Sequence, residues 1–468
     1  MAFSQFLESR RAACRALIRA LDRHFAYVSI LGTDVRANRI MVNKNTSSIA
    51  EGGDCESGFV IKLHNGKAFL ECSLDDITDD TDALVRHILS TVTVPSALAE
   101  QTISVPIPAD EPLTQSFLRE NDYDDYSDAQ LLQFCRETKD EILARDSEHI
   151  LNVVSAISTM RVNKLFLSKN RELDQSYGWA NGFAVVVWRE NDKMVSAREF
   201  LGYNDLKTIL DEMPSKISPL IDKAHHLAYA KPITPGVYDV ITDPSITGLI
   251  AHEAFGHGVE MDQFVKDRAL AKQYVGQYVA SPICNMHDGA AAVLSAASYF
   301  FDDDGVLAQD TQIIKDGILV NGLCDLTAAA ELGATATGNG RRESYKRKAY
   351  SRMTNTFFEK GTDKLEDMIA SIKHGYMLFE TNNGMEDPKN WQIQCTAEYG
   401  IEIIDGKLTE NYVSPVVMSG YVPDLLKSIS MISDDFVIHG SGSCGKGYKE
   451  WVRVSDGGPA LKVKVKLA

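Results

Sequence analysis

The stretch Ala251-His252-Glu253-Ala254-Phe255-Gly256-His257-Gly258-Val259-Glu260 places the tightest condition on how this chain folds. It sets two imidazoles and two carboxylates close together, directly after the apolar residues Ile246, Leu249 and Ile250, a pattern that reads as a helix. Asp243 reads as the N-cap, and Pro244 stands where a first helical residue tolerates proline. The histidines lie at i and i+5, one step beyond the i, i+4 spacing of common zinc peptidases. On a regular helix of 3.6 residues per turn, five steps rotate the second ring roughly 140° from the first. Two rings so placed cannot share an ion. A π-type turn, or unwinding at Gly256, returns them to one face, and such bulges cluster at functional sites. The spacing therefore predicts a distorted helix.

The chain has 468 residues, more than one compact core usually holds, so two or three domains are expected. A hydrophobic fraction of 44% and a charged fraction of 24% are those of an ordinary globular protein. The net charge of −17 opposes sequence-independent binding to nucleic acid or to anionic lipid. Eight cysteines are scattered with no CxxC pair, which reads as reduced thiols in a cytosolic protein. The first 25 residues are charged throughout, unlike a signal peptide, and no apolar run reaches membrane-spanning length. A cytoplasmic protein with no membrane or nucleic-acid partner is expected.

After a first helix (Phe3, Phe6, Leu7, Cys14, Leu17, Ile18 and Leu21 at helical spacing) come short strand-like runs, Tyr27 to Leu31, Asn38 to Val42, Gly58 to Leu63 and Lys67 to Cys72. The last two are joined by His64-Asn65-Gly66, a hairpin signal. Helices are expected from Asp79 to Val94, from Ser127 to Ile150, and within 205 to 235. Asn163 to Asn170 resembles Asn38 to Asn45, and the run from Gly182 resembles the run from Gly58 at nearly the same offset. These parallels predict an internal duplication. The fold class expected is α+β: residues 1–235 as an N-terminal domain of duplicated β-meanders with flanking helices, and 236–468 as a C-terminal domain. That second domain is expected to hold a large antiparallel sheet and the metal-binding helix. Lys231-Pro-Ile-Thr-Pro-Gly marks the boundary, and Asp-Gly pairs at 304–305, 316–317 and 405–406 predict hairpins. The acidic run Asp302 to Asp304 reads as a turn and not as a calcium site.

Two histidines make an incomplete metal site, because catalytic zinc keeps three protein ligands and one open position. Cys444, framed by glycines in Gly440-Ser-Gly-Ser-Cys-Gly-Lys, is the candidate third ligand. HEAxGH with its following glutamate, GNGRRES (338–344), RMTNT (352–356) and CGK (444–446) together resemble the TldD/PmbA family, named as gyrase modulators and understood as cytoplasmic peptidases of peptide maturation. The resemblance is specific from about residue 236 onward. It implies that His252, His257 and Cys444 bind the metal and that Glu253 is the general base. It also implies a dimer enclosing the active site. Because the chain keeps HExxxH, it resembles the active subunit of a heterodimer with a related subunit, or a self-sufficient homodimer. One departure is Gly447-Tyr448-Lys449 where the family commonly has a Gly-Gln element.

The chemistry expected of these residues is amide hydrolysis of unstructured peptides or exposed protein segments. One divalent metal per chain, zinc by ligand type with iron left open by ligand softness, would activate water, and Glu253 would carry its proton. Glu260 would orient a ligand ring. Arg341 and Arg342 would bind a peptide carboxylate or form structural ion pairs. Asn355 would donate to an oxyanion or tie down a loop. An extended substrate would add to a sheet edge. The alternative is a non-catalytic peptide-binding or assembly subunit with a structural metal.

Overall fold

A computed structural model describes residues 3–53, 55–93, 104–190, 192–448 and 450–468. Strands β1 (Tyr27–Asn43), β2 (Ser47–Glu51), β3 (Glu56–His64), β4 (Phe69–Leu74), β5 (Leu113–Leu118), β6 (Ile150–Ser168), β7 (Arg171–Glu190) and β8 (Lys193–Tyr203) make one eight-stranded sheet. Its spine runs β4-β3-β1-β6-β7, with β8 and β5 along the far side of β7. Helices α1 (Gln5–Leu21), α2 (Thr81–Thr91), α3 (Asp128–Arg145) and α4 (Leu206–Tyr229) flank it. Each begins at a side-chain cap, from Ser4, Asp80, Ser127 and Asp205 respectively. The order helix, meander, helix occurs twice, as α1-β1-β3-β4-α2 and α3-β6-β7-β8-α4. The two units meet where β1 pairs antiparallel with β6, the arrangement that the repeated residues predicted. Val94, the expected end of α2, lies outside the described residues.

Alternation along the strands divides the sheet's faces. Val28, Ile30, Ile40, Val42, Val153 and Ile157 point to the helices. Thr33, Val35, Ala37, Met160, Val162 and Tyr177 point to the second half of the chain. This second face explains why β1 is one unbroken strand and not the two runs expected. Its polar middle is held by the Asp34 carboxylate, which accepts from Ser4 and Ser57 hydroxyls.

In the second half, strands Gly236–Thr242, His374–Asp387, Gln392–Ile404, Val416–Tyr421 and Leu461–Leu467 hydrogen-bond in a ring that closes on itself. The pair Gly236–Thr242 and His374–Asp387 is parallel. The large antiparallel sheet expected there is therefore mostly antiparallel and closed. A separate six-stranded sheet ends in Asn355–Phe358, Glu450–Gly458 and, at its edge, Val437–Lys446. Asp316-Gly317 and Asp405-Gly406 each have positive φ at both residues and turn two-residue hairpins. Asp302 to Asp304 also turn, through Gly305, but all three acids are buried at the seam between the halves. Lys62 pairs with Asp304 at 2.6 Å, and Lys164 pairs with Asp303. All eight cysteines are free.

Candidate metal centre

Asp243 accepts a hydrogen bond from the Ile246 amide and starts a short α-helix, Pro244–Leu249. The chain then widens into a π-helix over Ile250–Gly256, in which the His257 amide donates to the His252 carbonyl, and tightens to a 3₁₀ turn at His257–Val259. The widened turn brings the i and i+5 imidazoles to one face, ring centroids 5.2 Å apart and nearly perpendicular. Gly256 permits it, because a Cβ there would lie 2.1 Å from Met353 Sδ.

Cys444 comes from the edge strand Val437–Lys446 and points at the rings, its Sγ 3.4 Å from His257 Nε2. One ligand atom each from His252, His257 and Cys444 lies within 4.8 Å of the others. This donor set, two imidazoles and a thiol, is one that a zinc-like ion takes. Burial alone would push the Cys444 thiol up, yet His257 and His252 beside it hold it well below the usual thiol range. The sulfur is therefore ready to be a ligand, and metal binding would displace the proton that the imidazoles hold.

Glu253 lies against the cluster without joining it. Its carboxylate oxygens are 4.0 Å from His252 Nε2 and 3.8 Å from His257 Nε2. Burial raises its pKa. The strand His374–Asp387 passes over it at Gly384, where a Cβ would be 2.6 Å from Glu253 Cγ.

Glu260 is fully buried and accepts from His257 Nδ1 at 3.1 Å and from Lys446 Nζ at 2.8 Å. Although burial opposes ionisation, Lys446 and His257 hold its carboxyl far below the ordinary range. Lys446 also donates to Asp262 at 2.6 Å and to the Ser351 carbonyl at 2.9 Å. Arg352, wholly buried, donates to the Cys444 carbonyl at 2.6 Å and so ties the ligand strand down. Lys446, Asp262 and Arg352 escaped the reading of the sequence. Lys446 had a signal, since period-two alternation puts it on the Cys444 face of the strand. His252 lacks such support, and its Nδ1 is buried without a hydrogen bond. Asp456, raised to about 6 by burial, is the further acid whose charge bears on it.

The remaining expected residues stand apart from the cluster. Arg342 pairs with Glu71 of β4 across the seam, the structural ion pair of the two expected roles. Arg341 donates to the Met353 carbonyl and stacks on Tyr299. Asn355 donates to Gly289 and Val293 carbonyls and to Ser298, which ties down a loop. Among the described residues, none of these hydrogen bonds reaches His252, His257 or Cys444.

Comparison with known proteins gives the family. Residues 235–467 match the PmbA/TldA metallopeptidase C-terminal domain. A zinc metalloprotease TldD homolog of Saccharolobus solfataricus is 30% identical over 310 residues, 64% of this chain and 67% of that protein. A metalloprotease of Synechocystis is 35% identical over 264 residues, 56% of each chain. The Haemophilus influenzae TldD homolog is 34% identical over 229 residues, 49% of this chain and 47% of that one. The chain thus matches about half the length of these last two relatives. The fold is shared with a Thermotoga maritima protein described as a modulator of a DNA gyrase (TM-score 0.78, 17% identity, covering 98% of this chain and all of that one). It is shared too with TldE of Thermococcus kodakarensis (TM-score 0.76, 19% identity, 97% and 100% covered). The C-terminal half has the domain of a metallopeptidase. The chain belongs to the TldD/PmbA family.

Proposed function

We propose that this chain is a metal-dependent peptidase acting on unstructured peptides or exposed segments, with residues 236–468 carrying the chemistry and 1–235 forming a separate domain. The observation that carries the proposal is the Glu253 carboxylate, held 3.8–4.0 Å from two imidazoles that converge with a thiol. His252, His257 and Cys444 would hold the ion, zinc by donor type. When bound, the ion lowers the pKa of water and polarises a scissile carbonyl.

Glu253 accepts a proton from the attacking water on a carboxylate oxygen and passes it to the leaving amine nitrogen. Its burial, which raises its pKa, suits a group that must hold the proton between those events. Glu260 and Lys446 are positioning residues: they fix the tautomer and angle of the His257 ring from behind. An extended substrate would pair with the edge strand Val437–Lys446, beside Cys444. Likeness in fold to TldE supports a related subunit, or a second copy, as partner. Charge, single cysteines and the lack, among the described residues, of a helix long and apolar enough to cross a membrane support a cytoplasmic site of action.

The test is mass spectrometry of an unstructured peptide incubated with the wild-type chain and with Glu253→Gln, metal content measured in both. The proposal expects cleavage by the wild type, and loss of cleavage in the variant at equal metal. Equal cleavage by both removes Glu253 from the chemistry.

A further inference from the structure

A groove of about 610 Å³ lies between the helix-free face of the N-terminal sheet and the hairpin made by Val437–Lys446 and Glu450–Gly458. It is not the metal centre. Cys444 pairs with Val452, and both belong to the core, though Val452 also borders the groove; Ser443 pairs with Arg453, and both line the groove.

We infer that this groove binds acidic peptide segments in extended form, through Arg39, Arg341 and Arg453. The ligand class rests on the peptidase reading above. These three arginines line the groove, and none has a carboxylate partner among the described residues. Their polar contacts are to neutral groups: Arg39 to Met41 sulfur, Arg341 to the Met353 carbonyl, and Arg453 to the carbonyls of Gly440 and Ser441 and the Asn181 amide oxygen. Two other cations of the lining show what pairing looks like here: Lys164 has Asp303, and Arg342 has Glu71. Four acids line the same groove and are engaged elsewhere, Asp303 with Lys164, Asp302 with the Gly340 and Val306 amides, Glu56 with the Ser344 hydroxyl and Glu343 with the Trp451 amide, so the three guanidinia left without a carboxylate call for an anionic ligand. The most enclosed of them, Arg453, is pulled down to about 9 by burial with no acid beside it.

The arginines also form a row. Arg453 stacks on Trp179 and Arg39 on Phe183, at 5.7 and 5.9 Å. Trp179 and Phe183 share a face of β7, roughly 13 Å apart at 3.3 Å per residue. Arg341 stacks on Tyr299, which packs on Tyr177, the next residue of that face in the other direction. Side chains on one face of an extended peptide repeat at roughly 7 Å, so carboxylates along such a peptide meet this row. Single-stranded nucleic acid fits less well. The net charge of −17 repels a polyanion.

The test uses the full chain carrying Glu253→Gln, so that nothing is cut. Fluorescence anisotropy compares a labelled octapeptide alternating Glu and Ser with its Gln counterpart. The Glu peptide is expected to bind at least about tenfold tighter, with salt weakening it. Arg39→Gln alters an exposed side chain and leaves folding intact. It and Arg341→Gln are each expected to weaken the Glu peptide by about three- to tenfold and the Gln peptide hardly at all. Equal affinity for the two peptides, no effect of Arg39→Gln, or tighter binding of an oligothymidylate of equal charge overturns the inference. Binding of the Glu peptide by a protein whose wild type cuts no peptide would remove the hydrolysis reading alone.

Discussion

The hairpin of Val437–Lys446 and Glu450–Gly458 presents opposite electrostatics on its two faces. Toward the metal cluster, Lys446 is buried and meets Glu260 and Asp262, and Glu260 in turn meets His257. Toward the groove, Arg453 is enclosed and meets carbonyls and an amide but no acid. Both faces bury cations, and only one pairs them. Paired buried charges fix geometry, since removing either partner strands the other in a low dielectric. Unpaired ones keep their field for whatever enters. The first face is thus built to hold ligands in place and the second to receive them.

The sharpest way to break this comparison is to delete one cation from each face and measure urea denaturation. Lys446→Met removes the cation shared by Glu260 and Asp262, leaving the first with His257 and the second with Lys266, and is expected to cost about 3 kcal/mol. Arg453→Met strands no charge and is expected to cost under about 2 kcal/mol, its lost hydrogen bonds set against relief of desolvation. Equal costs would show that the faces do not differ.

Packing gives a second test. At Gly384 a methyl group would press on Glu253 Cγ at 2.6 Å and on Leu249 Cδ1 at 2.9 Å. Gly384→Ala is therefore expected to displace Glu253 and to lower kcat about 10²-fold at unchanged metal content. Unchanged kcat would show slack on the face taken to be rigid.

Asp243 sharpens the comparison, as a half-buried acid at the head of the metal-binding helix with no cation paired to it among the described residues. Burial raises its carboxyl from 3.8 to about 6. The folded state keeps this proton longer than the unfolded chain does. The resulting stabilisation is full below about pH 4 and is lost as pH rises through about 6. Asp243→Asn keeps a capping oxygen for the Ile246 amide, gives up the acceptor of the Glu380 amide and removes the titration. At pH 7 the variant is expected to be more stable than wild type by about 1–2 kcal/mol. Parallel stability profiles from pH 4 to 7 would contradict this. The smallest effect belongs to Arg39→Gln, exposed and unpaired, whose stability should match wild type within about 0.5 kcal/mol while binding of the Glu peptide falls.

Local chemistry was legible in the sequence where neighbours in the chain decide it. The Asp243-Pro244 start, the π-turn demanded by histidines at i and i+5, and the Asp-Gly hairpins at 316–317 and 405–406 all depend on a few adjacent residues. The doubled meander was visible because both copies kept their strand residues. Closure of the C-terminal ring was not, since it depends on Gly236–Thr242 finding His374–Asp387 in parallel, far along the chain. Asp302 to Asp304 read as a turn, and their burial was not legible because their partners Lys62 and Lys164 lie in the other half. Lys446 beside Cys444 read as part of a motif, whereas its partners arrive from Glu260 and Asp262 through the fold.

The central claim is that His252, His257 and Cys444 hold one metal ion. The most direct measurement is the absorption spectrum of the cobalt-substituted full chain beside that of Cys444→Ser. The account predicts one cobalt per chain with a thiolate-to-cobalt charge-transfer band, and loss of that band in the variant. A wild-type spectrum without the band, or a band that survives in Cys444→Ser, would contradict it.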